Sequence, residues 1–148
     1  MSEAETTLVE RFTHDHRECD RMWAEVEDAR DDAALARAWA RFELATREHL
    51  RVEEEILFVA LDRRAPPGPT SVMRMEHAQM RGLLSRIAEH VAARRRDAVL
   101  DDGDTLLILV RQHNAKEEAM LYPTAERVLA DAWPSLRAMI PPSFGSVP

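Results

Sequence analysis

The chain has 148 residues, enough for one compact domain, and its single cysteine excludes an internal disulfide framework and a cysteine-based zinc cluster. Its net charge of −7 argues against nucleic acid as a partner, since phosphate binding needs a basic surface. The longest all-apolar run, Leu106 to Val110, is too short to span a membrane. The acidic N-terminus has no apolar signal core, so we expect a cytoplasmic protein.

Two helices are predicted in the first half of the chain. A capping box at Thr7 and Glu10 predicts a first helix over residues 8–28. The pair Asp31-Asp32 can cap a second helix that ends near residue 63 or 64. Alanine, arginine, glutamate and leucine dominate the composition, which favours helices over sheets.

A proline-rich break separates this half from the next. No helix interior can accommodate Pro66-Pro-Gly-Pro69, and Thr70 or Ser71 is predicted to open a third helix that continues to about residue 96. Turn signals occupy residues 97–103, and a fourth helix is predicted over residues 104–130. Pro123 lies inside that helix, where we expect a kink or a break.

Four helices with apolar residues three and four apart and short connections predict an all-α, up-down-up-down four-helix bundle. One domain should cover residues 1–148, with the bundle at about 8–130 and a C-terminal extension at 131–148. Within the extension, a short turn of helix is expected beyond Trp133-Pro134, and residues 141–148 are predicted to form an irregular tail.

The two halves repeat one arrangement of histidine and glutamate. His49-Leu-Arg-Val-Glu53-Glu54 is matched further along the chain by His113-Asn-Ala-Lys-Glu117-Glu118. In the helix before each copy stands a histidine preceded by an acidic residue, at Asp15-His16 and Glu76-His77. Two similar hairpins make a bundle with pseudo-twofold symmetry, so a paired site on its axis is predicted.

These residues lie on the predicted buried faces of the helices. A residue and the one four positions later lie on the same stripe of a helix, so each of the two histidines projects beside the glutamate that follows it. The buried face of the second helix is predicted to continue past Glu53 through Ile56 and Ala60. That of the fourth continues past Glu117 through Met120 and Thr124.

Buried carboxylates among apolar residues are costly unless a cation meets them. Arginines could meet them in a buried polar network, but the arginines mostly fall off the predicted buried faces. A metal site is therefore favoured, with six predicted ligands: His16, His49, Glu53, His77, His113 and Glu117. That set is too large for one tetrahedral zinc ion and suits two ions bridged by the carboxylates. Iron is the first expectation, with manganese or zinc as alternatives.

The chain resembles the hemerythrin-like, HHE cation-binding domain family over about residues 8–130. Four motifs carry the resemblance: Asp15-His16, His49-x-x-x-Glu53-Glu54 with Leu57-Phe58, Glu76-His77, and His113-x-x-x-Glu117-Glu118 with Leu121-Tyr122-Pro123. The resemblance implies a bundle holding a non-haem di-iron centre with an oxo or hydroxo bridge. In the family such centres bind O₂ reversibly, sense oxygen or iron, or meet peroxide and nitric oxide.

Two departures from the oxygen-carrying members matter. Those proteins have a second histidine one turn along the third helix, where this chain has Arg81. They also place the fourth-helix carboxylate five residues after its histidine, whereas Glu117 and Glu118 are both available here; Glu117 is favoured because it stays on the buried face. Arg81, Glu118 and Tyr122 are candidates for hydrogen bonds to the ligands or to a metal-bound species.

With one nitrogen ligand fewer, the metal ions should be more open, which favours redox turnover, sensing or peroxide chemistry over a stable oxygen complex. The predicted function is a non-haem di-iron protein that binds, senses or reacts with O₂, peroxide or nitric oxide. A di-iron oxidase or peroxidase, or an enzyme like those that respond to nitric oxide or repair iron–sulfur clusters, is one alternative. An iron-responsive interaction module is another. A monomer or weak homodimer is expected, with Leu107 and Ile108 as a hint of a dimer face.

Overall fold

The computed structural model describes residues 6–142, and every regular element within that range is helical. The elements are α1 (Leu8–Asp28), α2 (Asp32–Val52), a π-helical turn (Glu53–Leu57), α3 (Phe58–Asp62), α4 (Gly68–Ala92), α5 (Arg96–Lys116), a second π-helical turn (Glu117–Leu121), α6 (Tyr122–Val128) and α7 (Trp133–Met139). No helix of residues 6–142 is long and apolar enough to cross a membrane.

The π turns join α2 to α3 and α5 to α6, so the chain forms four long rods. Helix α1 packs on α2 and on α6, α2 packs on α4, and α4 packs on α5. These contacts close a ring of four antiparallel rods, which confirms the predicted all-α four-helix bundle.

The predicted helix starts in the first half of the chain are confirmed. Thr7 Oγ1 accepts from Glu10 N at 3.1 Å, while Glu10 Oε2 accepts from Thr7 N at 3.3 Å, so α1 begins with a complete capping box. Asp31 Oδ1 accepts from Ala34 N at 2.7 Å and caps α2.

The predicted boundary between the third and fourth helices is wrong. Residues 97–103, predicted as a turn, lie inside α5, and α4 ends at Ala92 rather than near residue 96. The connection is made at residues 93–95, where Arg94 has a φ of 58° in the left-handed region. Helix α4 also starts earlier than predicted, with Pro69 in its first turn, where the missing N–H is not needed.

Two apolar clusters fill the bundle, one on each side of the predicted metal ligands. One cluster is built around Trp23, Trp39, Phe42 and Leu84. The other contains the following aromatic and aliphatic side chains: Phe12, Leu57, Phe58, Leu121, Tyr122 and Leu129. Along α1, His16 lies between Phe12 of one cluster and Trp23 of the other. In each of the other rods, too, the histidine lies between residues of the two clusters. The polar residues therefore form a single layer between two apolar ones.

The π turns change which residues face the core beyond each glutamate. Met120 is 70 % exposed and Thr124 is also exposed, whereas Leu121 and Ala125 are buried. Each π turn inserts one extra residue, so the buried face moves forward by one position and the prediction of Met120 and Thr124 as core is wrong. The rod formed by α2 and α3 shows the same shift, since Leu57 and Leu61 are buried and Ile56 and Ala60 are only partly buried.

Pro123 does not explain these turns by itself. The second π turn ends at Leu121, two residues before Pro123, and α6 continues through the proline, while the first π turn, at Glu53–Leu57, contains no proline. What the two turns share is the glutamate at their first position, which points to the buried site as their common cause.

The C-terminal extension folds back on the start of the chain. Helix α7 confirms the predicted helical turn after Trp133, whose indole Nε1 donates to Thr6 O at 3.0 Å. Arg11 Nη2 donates to Pro141 O at 2.5 Å. Residues 143–148 of the predicted tail lie outside the described residues.

Candidate metal centre

The structure brings the six predicted ligands together in the polar layer. All are at most 8 % exposed, with one histidine from each rod and one glutamate from the start of each π turn: His16, His49, Glu53, His77, His113 and Glu117. His16 comes from α1 and His77 from α4, while His49 and His113 come from the last turns of α2 and α5. The layer thus receives side chains from all four rods.

Their donor atoms form two clusters that share one carboxylate. In the first, one donor atom from each of Glu53, His77, His113 and Glu117 lies within 4.8 Å of the others. In the second, His16, His49 and Glu117 meet the same limit. Bonds of about 2.1 Å to a central ion put opposite ligands about 4.2 Å apart, so donor atoms within 4.8 Å of one another are close enough to surround one ion after a small adjustment.

Several of these atoms lack the hydrogen bonds that buried polar atoms normally make. His49 Nε2, Glu53 Oε1 and Glu117 Oε2 are fully buried and have no hydrogen-bond partner among the described residues. His49 Nε2 and Glu53 Oε1 are only 3.1 Å apart, yet without hydrogen-bond geometry. Donor atoms that converge without bonding one another fit a metal ion between them.

The outer nitrogens of the histidines face carboxylates instead. Three Nδ1 atoms make hydrogen bonds: His16 to Glu118 Oε2 at 2.9 Å, His77 to Glu54 Oε2 at 2.7 Å, and His113 to Glu76 Oε1 at 2.9 Å. His49 Nδ1 lies 3.8 Å from Asp15 Oδ2. Carboxylates that hold the outer nitrogen orient a ligating histidine and fix its tautomer.

This arrangement leaves lone pairs pointing inward. A carboxylate only accepts, so His77 and His113 donate from Nδ1, and in the neutral ring Nε2 then carries a lone pair. The Nε2 atoms of His77 and His113 are 3.1 Å apart. Two lone pairs at that distance repel each other, so this pair of histidines requires an extra proton or a metal ion.

Three of the predicted ligands have shifted pKa values in the metal-free site. Burial lowers the pKa of His49, but the carboxylates of Glu53, Asp15 and Glu117 together outweigh burial and raise it well above its ordinary value. Burial raises the pKa of Glu53, but interactions with His49, Glu117 and His77 together outweigh burial and hold that pKa well below the usual range. Burial likewise lowers the pKa of His113, while Glu117, Glu53 and Glu76 together raise it further than burial lowers it. The layer retains positive charge in the absence of metal, as a cation site should.

Cations in turn hold three of the outer carboxylates. Arg81 Nη1 donates to Glu54 Oε2 at 2.7 Å, and Arg11 Nε donates to Asp15 Oδ2 at 3.3 Å. Lys116 Nζ donates to Glu76 Oε2. Arg81, predicted as a hydrogen-bond candidate, therefore reaches the site only through Glu54 and His77.

Tyr122 is the predicted candidate that lies deepest. Its hydroxyl donates to Glu53 Oε2 at 2.7 Å and is 3.1 Å from Glu117 Oε1 and 3.0 Å from His16 Nε2. Burial, together with the charges of Glu117 and Glu53, raises the pKa of Tyr122 well above its ordinary value. In the metal-free protein this hydroxyl keeps its proton.

The comparisons with known proteins agree with this geometry. The family model of the hemerythrin HHE cation-binding domain matches residues 7–125. The chain belongs to the hemerythrin HHE family. Neither the comparison with curated proteins nor that with solved structures gave a match. Hemerythrin HHE domains bind metal cations, and the buried histidine and glutamate cluster of this one fits such a site.

Sequence reasoning missed part of the hemerythrin HHE site. Glu54, Lys116 and Arg11 were not predicted to support ligands, whereas Glu118 was a predicted hydrogen-bond candidate and does contact His16. The repeated second glutamate of His-x-x-x-Glu-Glu was the available signal, because Glu54 and Glu118 play matching parts in the two halves. The cations carried no comparable pattern.

Proposed function

We propose that this chain is a cytoplasmic non-haem di-iron protein that binds, senses or reacts with O₂, peroxide or nitric oxide. The observation that carries the proposal is the pair of donor clusters sharing Glu117. His77, His113, Glu53 and Glu117 would hold one ion, and a second set would hold the other: His16, His49 and Glu117. Carboxylate and imidazole donors in this number suit two ions with open positions better than one closed tetrahedral site.

The chain's own residues supply the rest of the proposed function. When bound, two iron ions would provide redox electrons and coordination positions for a small ligand. Glu54, Glu76 and Glu118 would orient the histidines, and the apolar layers on either side would limit access of water. The Tyr122 hydroxyl lies where it can donate to an acceptor inside the site.

Metal analysis of untagged protein tests the centre directly. We expect about two iron ions per chain, in line with the paired sites built inside carboxylate-rich helix bundles. Glu53→Ala and Glu117→Ala should each lose the centre, whereas Glu55→Ala, at a side chain that is 61 % exposed, should keep it. A folded bundle that binds no metal would refute the proposal, and a Glu117 variant that keeps both ions would move the ligand to Glu118.

A di-iron oxidase or peroxidase is the second candidate. The position one turn after His77 carries Arg81, whose guanidinium donates to Glu54, so His77 is the only one of the described residues of α4 that reaches the clusters. With one nitrogen ligand fewer, the metal ions would be more open, which favours redox turnover or peroxide chemistry. Mixing the diferrous protein with O₂ in a stopped-flow spectrometer separates the two functions. A persistent, reversible oxygen-bound spectrum means a carrier or sensor; immediate irreversible oxidation followed by peroxide turnover means an enzyme.

A further inference from the structure

The two donor clusters are unequal. The first contains four donor residues, whereas the second, formed by His16, His49 and Glu117, contains three. A metal ion with three protein donors needs a further ligand from the protein, from solvent or from a substrate. The structure offers one such ligand that is neither histidine nor carboxylate.

The Tyr122 oxygen lies against two members of the three-donor cluster and donates to Glu53 Oε2 of the other cluster at 2.7 Å. It is 3.0 Å from His16 Nε2 and 3.1 Å from Glu117 Oε1. Bonds of about 2.1 Å that meet at right angles separate neighbouring donor atoms by about 3 Å. The phenol oxygen thus has the spacing of an adjacent ligand in the coordination shell of one ion.

The pseudo-twofold repeat supplies an internal control for this hydroxyl. Phe58 occupies the position in the first half that Tyr122 occupies in the second, nine residues after its histidine in both cases. The Phe58 ring lies 5.5 Å from the His77 ring at 31°, and the Tyr122 ring lies 5.5 Å from the His16 ring at 34°. Both side chains are fully buried.

An aromatic ring alone therefore satisfies the packing at this position. A buried hydroxyl costs free energy unless a polar partner meets it, so phenylalanine would be the simpler residue in both halves. The hydroxyl is present only in the second half, where its oxygen contacts His16 and Glu117 of the three-donor cluster and donates to Glu53. Each of these partners is a predicted metal ligand, so the hydroxyl serves the metal site rather than the packing of the core.

We propose that Tyr122 is a ligand of the metal ion held by His16, His49 and Glu117, bound through its phenolate oxygen. The proposal rests on the metal centre of the proposed function. On binding, the O–H bond is replaced by an oxygen–metal bond, the proton leaves to solvent, and no electron is transferred. The positive charge of the ion offsets the cost of placing a phenolate beside Glu53 and Glu117.

The chain contains a single tyrosine, so any tyrosinate signal comes from Tyr122. Metal-free protein is titrated with gallium(III), a redox-inactive stand-in for ferric iron, and ultraviolet difference absorption reports phenol ionisation. Protein reconstituted with ferrous iron and oxidised in air is then examined for a visible phenolate-to-iron charge-transfer band. Resonance Raman excitation within that band should show tyrosinate ring modes.

We expect both signals in the wild-type chain and neither in Tyr122→Phe, which recreates the residue of the first half and should retain most of its iron. Because the wild-type spectra decide the matter, the test holds even if the variant folds poorly. Iron-loaded wild-type protein without tyrosinate modes would overturn the ligand assignment while leaving the metal centre intact. Failure to bind any metal would overturn both proposals.

Discussion

Three consecutive glutamates in the π turn that follows α2 should respond very differently to the same substitution. Glu53 is a predicted ligand, Glu54 holds His77 Nδ1, and Glu55 is 61 % exposed and pairs with Arg51. Glu54→Gln is the most informative of the three. It keeps the size of the side chain and removes only the charge that orients the histidine.

The structure sets the expected magnitude. Burial raises the pKa of Glu54, but hydrogen bonds from Arg81 and His77 outweigh burial and keep the carboxylate charged. Removing a carboxylate that holds a ligating histidine typically weakens metal affinity by about 10- to 100-fold, or about 1.4–2.8 kcal/mol. Glu55→Gln should change it by no more than about twofold, as surface substitutions usually do. Glu53→Gln should lose more than either.

Competition against a chromophoric chelator, with zinc(II) in air or iron(II) under nitrogen, measures these affinities. Circular dichroism confirms that each variant remains helical. If Glu54→Gln binds metal as tightly as the wild type, the outer carboxylates do not support the ligands. If Glu55→Gln loses as much as Glu54→Gln, the effect is one of net charge rather than of contact with His77.

The remaining predictions concern stability. Gly103→Ala should destabilise the protein by up to about 2 kcal/mol, because the new methyl group would overlap the Trp23 ring and overpacking of about 1–3 kcal/mol exceeds the gain of about 1 kcal/mol in helix propensity. Gly82→Ala, with open space at its Cβ, should instead stabilise it by about 0.5–1 kcal/mol, and equal changes in urea denaturation would contradict the packing argument. Arg94→Gly should raise stability by about 1 kcal/mol because the φ of Arg94 is 58°; a lower melting temperature would show that the arginine side chain matters more. Chelation should lower stability by about 2.7 kcal/mol relative to protein with free metal at about 100 times Kd, and an unchanged melting temperature would argue against a site built in the folded state.

Helical periodicity predicted the bundle and the convergence of the six ligands, but it could not place Tyr122. On an uninterrupted α-helix, nine residues rotate a side chain by about 180°, so Tyr122 would point away from the face of His113. The π turn at residues 117–121 adds one residue and reduces that rotation to about 80°. Sequence periodicity assumes a constant rotation per residue. That rotation changes at the two π turns, each of which begins at a buried glutamate.

The boundary between α4 and α5 was predicted wrongly because a packing glycine was interpreted as a turn glycine. Gly103 lies inside α5, where any side chain would meet the Trp23 ring. The actual turn uses Arg94 in the left-handed region, a conformation that sequence rules assign to glycine or asparagine. The close approach of Gly103 to the distant Trp23 ring cannot be recognised from local composition.

The histidine partners also cross between the halves of the chain. Glu54, from the first half, holds His77 of the second, and Glu118, from the second, holds His16 of the first. Neither hairpin alone therefore contains all the parts of either cluster, and two identical hairpins could assemble them only as a twofold dimer. In such a dimer both aromatic positions would have to carry the same residue. A single chain containing both hairpins has no such restriction, which allows Phe58 and Tyr122 to differ and the two metal positions to acquire different reduction potentials.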